Sequence, residues 1–226
     1  MQGKVVAITG GFGALGAAVG ARLKAQGYAV ALIDRAAARP ADDGFFRLGD
    51  VDISTAAGAQ AAVRGVVDQF ARLDALINIA GSFRWEKFAE GDLATWDFLY
   101  AVNLKTAAAM SHAALPHLLA QGGGRIVNIA AAAALKAGEG MGPYAASKAG
   151  VIKLTEALAA ELKDAFVTVN AIAPSVLDTP ANRRDMPDAD FSRWVALEDV
   201  AALIAFLLSP EARAVTGALI PITGRV

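Results

Sequence analysis

An apolar run, Val5-Val6-Ala7-Ile8, passes without a break into Thr9-Gly10-Gly11-Phe12-Gly13-Ala14-Leu15-Gly16, and an alanine-rich helical stretch follows at once. Glycines crowded at that point let the backbone turn sharply and come close to a group that any Cβ would hold off. Between a strand and a helix, such a turn aims the unpaired N–H groups of the helix start at whatever lies beyond, an arrangement suited to a pyrophosphate. Gly10, Gly13, Leu15 and Gly16 are therefore expected to hold a dinucleotide. A plain strand–helix turn would have needed only one glycine.

The same alternation continues along the chain. Segments 5–8, 29–33, 75–77, 125–129, 167–172 and 219–222 read as buried strands, with a weaker one at 45–48. Helical stretches lie near 14–26, 55–72, 93–121, 144–163 and 198–209. Near-continuous apolar strands alternating with helices predict a parallel sheet covered on both faces. With right-handed crossovers this is a Rossmann-like, doubly wound, seven-stranded α/β sheet, its ligands at the carboxyl ends of the strands. No linker or repeat interrupts the pattern, so residues 1–226 are expected to form one domain. The exception is 173–197, with three prolines and clustered charges, whose length suits a lid or binding loop. Its Arg183, Arg184 and Arg193 are expected to pair with Asp185, Asp188 and Asp190 at the surface, although some of them could close over a polar substrate.

The second strand ends at Asp34, 24 residues after Gly10. A carboxylate there can accept hydrogen bonds from both ribose hydroxyls of NAD, and it would repel the 2′-phosphate of NADP. No lysine or arginine occupies 11–13 to offset that repulsion, so NAD(H) is expected over NADP(H). Arg35 is placed to lie over the adenine face.

Composition excludes several alternatives. The chain has no cysteine, which removes disulfides and thiolate metal sites. Its two histidines, His112 and His117, fall on different helix faces, so no metal site is expected. A net charge of −1 with mixed signs gives none of the basic footprint that nucleic acid requires. The start, Met1-Gln2-Gly3-Lys4, leads into a strand rather than a signal-peptide core, and no apolar stretch reaches the ~18 residues of a membrane span. A cytoplasmic protein acting on a small molecule is expected.

Tyr144 and Lys148 stand four apart and share a helix face. A free tyrosine, with a pKa near ~10, is a sluggish base at neutral pH. A neighbouring ammonium, together with a positive nicotinamide, favours the phenolate. Tyr144 could then donate a proton to a substrate being reduced or accept one during oxidation.

Over its whole length the chain resembles the short-chain dehydrogenase/reductase family. The residues that carry the likeness are the glycine turn, Asp50-Val51, Asn78-Ile79-Ala80-Gly81, Asn103, Tyr144-Ala145-Ala146-Ser147-Lys148, and Pro174 with Thr179. The resemblance implies that Asp50 and Val51 meet the adenine and that Asn78, Ala80 and Gly81 line the cofactor. It implies that Pro174, Leu177 and Thr179 lie at the nicotinamide amide. It also implies that Asn103 distorts its helix and holds a water near Lys148.

One family feature is missing. The usual serine thirteen residues before the tyrosine is Ala131, and no serine or threonine occurs from 129 to 143. Losing an oxyanion donor commonly costs ~2.7–4 kcal/mol in a carbonyl reaction. The Gly-Gly-x-Gly-Ala-Leu-Gly turn, the alanine at 131 and the 177–198 segment resemble dihydropteridine reductases, whose conjugated substrate would need that hydroxyl less. Phe83 and Trp85 could stack on such a ring or pack beneath the lid. Three functions follow as alternatives. One is an NADH-dependent reductase of a conjugated substrate such as a quinonoid dihydropteridine. Another is a general carbonyl/alcohol dehydrogenase of the 3-oxoacyl reductase kind, with Ser82 or Ser175 replacing the missing serine. The last is an NAD(H)-binding scaffold or sensor. Alanine on more than one face of 93–121 and 144–163, helices that the family often pairs between subunits, predicts a homodimer or homotetramer.

Overall fold

The computed structural model describes residues 3–226. Met1 and Gln2, part of the start read above, lie outside the described residues. Seven strands, β1 (Val5–Thr9), β2 (Ala29–Ile33), β3 (Phe46–Leu48), β4 (Ala75–Asn78), β5 (Gly124–Ile129), β6 (Val167–Pro174) and β7 (Leu219–Ile222), pair in one sheet of order β3-β2-β1-β4-β5-β6-β7. Every pairing is parallel, as in Val5↔Ala29 and Val6↔Ala75. This is a single-domain Rossmann-like α/β fold. Strand order reverses between β1 and β4, which opens a crevice at their carboxyl ends.

The period-2 alternation of side chains divides the core. Val6 and Ile8 point to the face covered by α1 (Ala14–Ala25) and α7 (Leu197–Leu208), against Val19, Leu23, Ile204 and Leu207. Val5 and Ala7 point the other way, toward α2 (Ala56–Phe70), α4 (Thr106–Ala120) and α5 (Gly142–Leu162), where Val63, Met110, Leu118 and Leu162 pack. Both faces of the sheet are covered by largely apolar layers, which explains why each strand reads as a near-continuous hydrophobic run.

Two expectations change. The stretch 93–121 is not one helix: α3 (Leu93–Leu99) passes into a π-helical turn, Tyr100–Lys105, before α4 begins. Asn103 lies in that turn, buried, and its side chain meets three groups on other elements. Alanine-rich periodicity carries no mark of such a widening; only the family resemblance, through Asn103, implied a distortion here. The stretch 173–197 is also more ordered than a loop. It contains α6 (Pro180–Asp185), capped by the Thr179 hydroxyl, which accepts from the Asn182 amide. A 3₁₀ turn follows at Phe191–Arg193, and a parallel bridge joins Leu177 to Val195.

Candidate active site

The glycine turn is held by close contacts that leave no space for side chains. Gly10 has φ +65°, and a Cβ on it would lie 3.0 Å from the backbone of Ala80. A Cβ on Gly16 would collide with the carbonyl oxygen of Gly10. The Gly13 amide donates to that same carbonyl at 3.1 Å, closing the turn. Helix α1 begins after Gly13 with no side-chain cap and no acidic residue in its first turn, so its leading amides remain available to an anion. Thr9 was not singled out from the sequence. Its hydroxyl accepts from the amides of Ile79 and Ala80, each at 3.1 Å, and so ties the end of β1 to the turn after β4.

Asp34 accepts from the amide of Phe12 through one carboxylate oxygen and from that of Ala36 through the other, both at 3.0 Å. The acid is thereby fixed against the glycine turn, and each oxygen keeps a free lone pair. Gly10, Gly13, Leu15, Gly16, Asp34 and Arg35 line a cleft of ≈ 640 Å³, with Val51, Ala80, Gly81 and Thr179 on its other walls. Asp52, Ile53 and Ser54 join them, where the family resemblance implies Asp50. Asp50 itself is exposed at φ +57° and does not line the cleft.

Asn78 does not line it either. Its amide is buried in the sheet and donates to Asn128 Oδ1 at 2.8 Å and Ser111 Oγ at 3.2 Å, linking β4 to β5 and α4. The residue at a strand end lies one pleat too deep to meet a ligand at the rim.

A second cavity of ≈ 240 Å³ adjoins the cleft and shares Leu15, Ile79, Gly81 and Ser82 with it. Tyr144, Lys148, Ala131, Phe83, Pro174 and Leu177 complete much of its wall. Phe83 stands edge-on to Tyr144, with ring centroids 5.0 Å apart. Trp85 lies elsewhere: its indole packs on the backbone of Gly140, a position only glycine allows. The fold thus brings Phe83 to the reactive pair and turns Trp85 away to the 137–141 loop.

Lys148 is 5% exposed, and its Nζ donates to the Ile129 carbonyl at 2.8 Å. Burial alone pushes the Lys148 ammonium down to about 8 and the Tyr144 phenol up to about 12. From the sequence, the Lys148 ammonium together with a positive nicotinamide is expected to favour the phenolate. With the protein's own groups alone, desolvation is the cause acting on both, since both side chains sit in the buried wall of the smaller cavity. Asn103 braces the same region. Its Oδ1 accepts from the Ser82 amide at 2.8 Å, and its Nδ2 donates to the Ser82 carbonyl and to Ser147 Oγ. Ser147 Oγ in turn donates to the Tyr144 carbonyl at 2.7 Å. The sequence names Ser147 only as part of the Tyr144–Lys148 stretch and assigns it no role of its own. Gly81 completes the cluster, since a Cβ there would come within 2.6 Å of Asn103 Oδ1 and 3.3 Å of Lys148 Nζ.

The lid arginines do not form the expected pairs. Arg183 makes a two-pronged bond with Asp178, at 2.6 and 2.7 Å, and holds that carboxyl below its ordinary range. Arg193 donates to a backbone carbonyl instead, that of Arg225. Among the described residues no cluster of metal-ligating side chains occurs, and no helix is long and apolar enough to cross a membrane.

Residues 4–190 match the family described as short chain dehydrogenase. D-Threitol dehydrogenase of Mycolicibacterium smegmatis is 34% identical over 99% of this chain and 93% of its own length. Among solved structures, carveol dehydrogenase from Mycobacterium avium in complex with NAD superposes with a TM-score of 0.88 at 27% identity, covering 99% of this chain and 97% of that one. The 3-ketoacyl-(acyl-carrier-protein) reductase from Brucella melitensis complexed with NADH gives a TM-score of 0.87 at 27% identity, covering 99% and 98%.

Proposed function

This chain belongs to the short chain dehydrogenase family, and from that premise we propose that it is an NAD(H)-linked oxidoreductase acting on a small uncharged substrate whose reacting group is part of a conjugated system. Ala131 carries this reading. It stands at the end of β5 with a methyl group in the wall it shares with Tyr144, where the family resemblance calls for a hydroxyl. A substrate that spreads developing charge over its own π-system depends least on that missing donor. The rest of the cavity agrees: Ile79, Phe83, Ile129, Ala130 and Leu177 are apolar, and Lys148 is the one charged side chain in its wall. A quinonoid dihydropteridine is one substrate of this type.

The larger cleft suits a dinucleotide. Gly10, Gly16 and Gly81 leave room a Cβ would fill, and α1 presents its leading amides. The carboxylate of Asp34 at the ribose end supports NAD(H) over NADP(H). When bound, the nicotinamide supplies the hydride. Tyr144 holds the proton at its hydroxyl and passes it to the substrate atom that gains charge. Lys148 stabilises the phenolate left behind, while Asn103 and Ser147 keep the first turn of α5 in place.

NADH-coupled turnover of quinonoid dihydropterin beside a panel of isolated ketones tests the reading. Conjugated acceptors should lead in kcat/KM, and Ala131→Ser should raise ketone turnover by about 10² or more, the value of one oxyanion donor. Equal rates on both classes with no response to Ala131→Ser would sink it.

A simple carbonyl or alcohol dehydrogenase is the second reading, favoured by Ser82. Its hydroxyl has no hydrogen-bond partner among the described residues and it lines both cavities, whereas the Ser175 hydroxyl is engaged with the Thr223 carbonyl. Under this reading Ser82→Ala abolishes ketone reduction. Assembly as a homodimer or homotetramer is supported by Leu93 and Tyr100, exposed on the α3 side, and sedimentation at micromolar concentration tests it.

A further inference from the structure

The lid between β6 and α7 carries Leu177 and Thr179 to the two cavities, and its own ordered pieces are short: the six residues of α6, a 3₁₀ turn and one bridge. Beyond its internal bonds, it is tied to residues 223–226, which follow β7. Arg193 donates through Nε and Nη2 to the Arg225 carbonyl, at 2.9 and 2.6 Å. Arg225 answers with its amide on the Arg193 carbonyl at 2.9 Å and with Nη2 on the Ser192 carbonyl at 2.7 Å. Two segments 32 residues apart are thus joined by reciprocal bonds.

The backbone makes this approach possible. Gly224 has φ +60°, and a Cβ there would lie 2.6 Å from the Arg193 carbonyl oxygen. Only glycine lets the chain lie this close to the 3₁₀ turn. From that turn the connection runs straight to the site. The Val195 amide donates to the Val176 carbonyl and the Asp178 amide to the Val195 carbonyl, both at 2.9 Å. These two bonds flank Leu177, and Thr179 follows directly.

We propose that Gly224, Arg225 and Arg193 form a strap that positions the lid, fixing Leu177 and Thr179 against the bound cofactor and substrate. Neither arginine forms a salt bridge among the described residues, so both guanidinium groups serve backbone carbonyls. Arg193, Gly224 and Arg225 line neither cavity and are positioning residues. The bonds face solvent, which limits what each one adds. The strap rests on the reading of the cleft as a dinucleotide site.

Arg193→Ala, Gly224→Ala and Arg193→Lys test it, with NADH affinity followed by fluorescence titration and lid opening by the rate of tryptic cleavage at Arg183 and Arg184. Arg193→Ala and Gly224→Ala should each weaken NADH binding and raise substrate KM about five- to ten-fold, the net worth of one solvent-facing hydrogen bond. Cleavage should accelerate in step, with kcat changed by less than about twofold, since a loosened lid acts first on binding. Arg193→Lys keeps the charge without the two-pronged geometry and should recover only part. Unchanged affinity and KM in all three variants, with or without a lower melting temperature, would overturn the strap. So would a loss confined to kcat, or full recovery by lysine. Native protein that bound no NADH would overturn the reading of the cleft instead, and the cleavage rates, which need no ligand, would still decide whether the strap holds the lid.

Discussion

The two walls of the cleft are built by opposite means. On the β1–β2 side the backbone does the positioning: Gly10, Gly13 and Gly16 fold against one another, and Asp34 is held by two amides. On the β4–β6 side buried polar side chains do it, with Asn103, Ser147 and Lys148 each bonded to a carbonyl, an amide or one another. The first wall tolerates no added atoms, and the second tolerates no lost ones. A group carried by close backbone contact fails by collision, while one carried by a buried hydrogen bond fails by leaving its partner unsatisfied.

The sharpest way to separate the walls is Tyr144→Phe. Removing the hydroxyl should lower kcat by about 10²–10⁴, the usual worth of a positioned acid or base, and leave NADH binding nearly intact. Steady-state rates beside fluorescence titration check this, and binding with undiminished turnover would take Tyr144 out of the chemistry. Gly16→Ala should do the reverse. Its methyl group meets the Gly10 carbonyl, an overpacking that costs about 1–3 kcal/mol and should weaken NADH binding by roughly ten- to a hundred-fold.

The pH dependence separates the walls more gently. Lys148 titrates at about 8, so kcat/KM for reduction should be flat through neutral pH and decline above 8 as the ammonium is lost. Lys148→Met should remove that inflection along with most of the rate. Folding stability should move oppositely over part of this range. The folded state releases the Lys148 proton at about 8 and the unfolded state near 10.5, so the cost of burying the charge disappears between those values and stability rises. Above 10 the buried Tyr144, held up to about 12, keeps its proton longer than the unfolded chain does, and stability falls. Denaturant titrations at pH 7, 9 and 11 read both limbs.

The smallest effect lies outside both walls. Phe166 is 76% exposed at φ +58°, a conformation that costs an L-residue about 1–2 kcal/mol. Phe166→Gly should therefore stabilise the protein by about 1 kcal/mol or somewhat less, with no change in turnover, and thermal melts supply the baseline for the other variants.

Much of this was legible in the amino acids. Continuous apolar strands announced a parallel sheet, because both faces are covered, and the glycine turn announced the tightly packed wall of the larger cleft, because collision leaves a compositional mark. The other wall was harder to read. Tyr144 and Lys148 stood out by spacing, but Thr9 and Ser147 act through short side chain–backbone bonds that leave no periodic trace. The family resemblance implied Asn78 and Asp50 at the cofactor and they lie off the cleft, since a matched motif does not reveal how far a strand end is recessed or which way an αL residue turns. Nor does spacing reveal desolvation, which decides where Tyr144 and Lys148 titrate.

The widened turn at Tyr100–Lys105 has a consequence for anyone engineering this protein. A π-turn is a helical defect, and repairing it by deleting one residue would give a more regular helix with better backbone geometry. The same repair would rotate Asn103 by about a hundred degrees, away from Ser82 and Ser147. Selection for heat resistance alone would therefore tend to drift toward well-folded, idle molecules, and a library built on this scaffold needs a turnover screen from its first round.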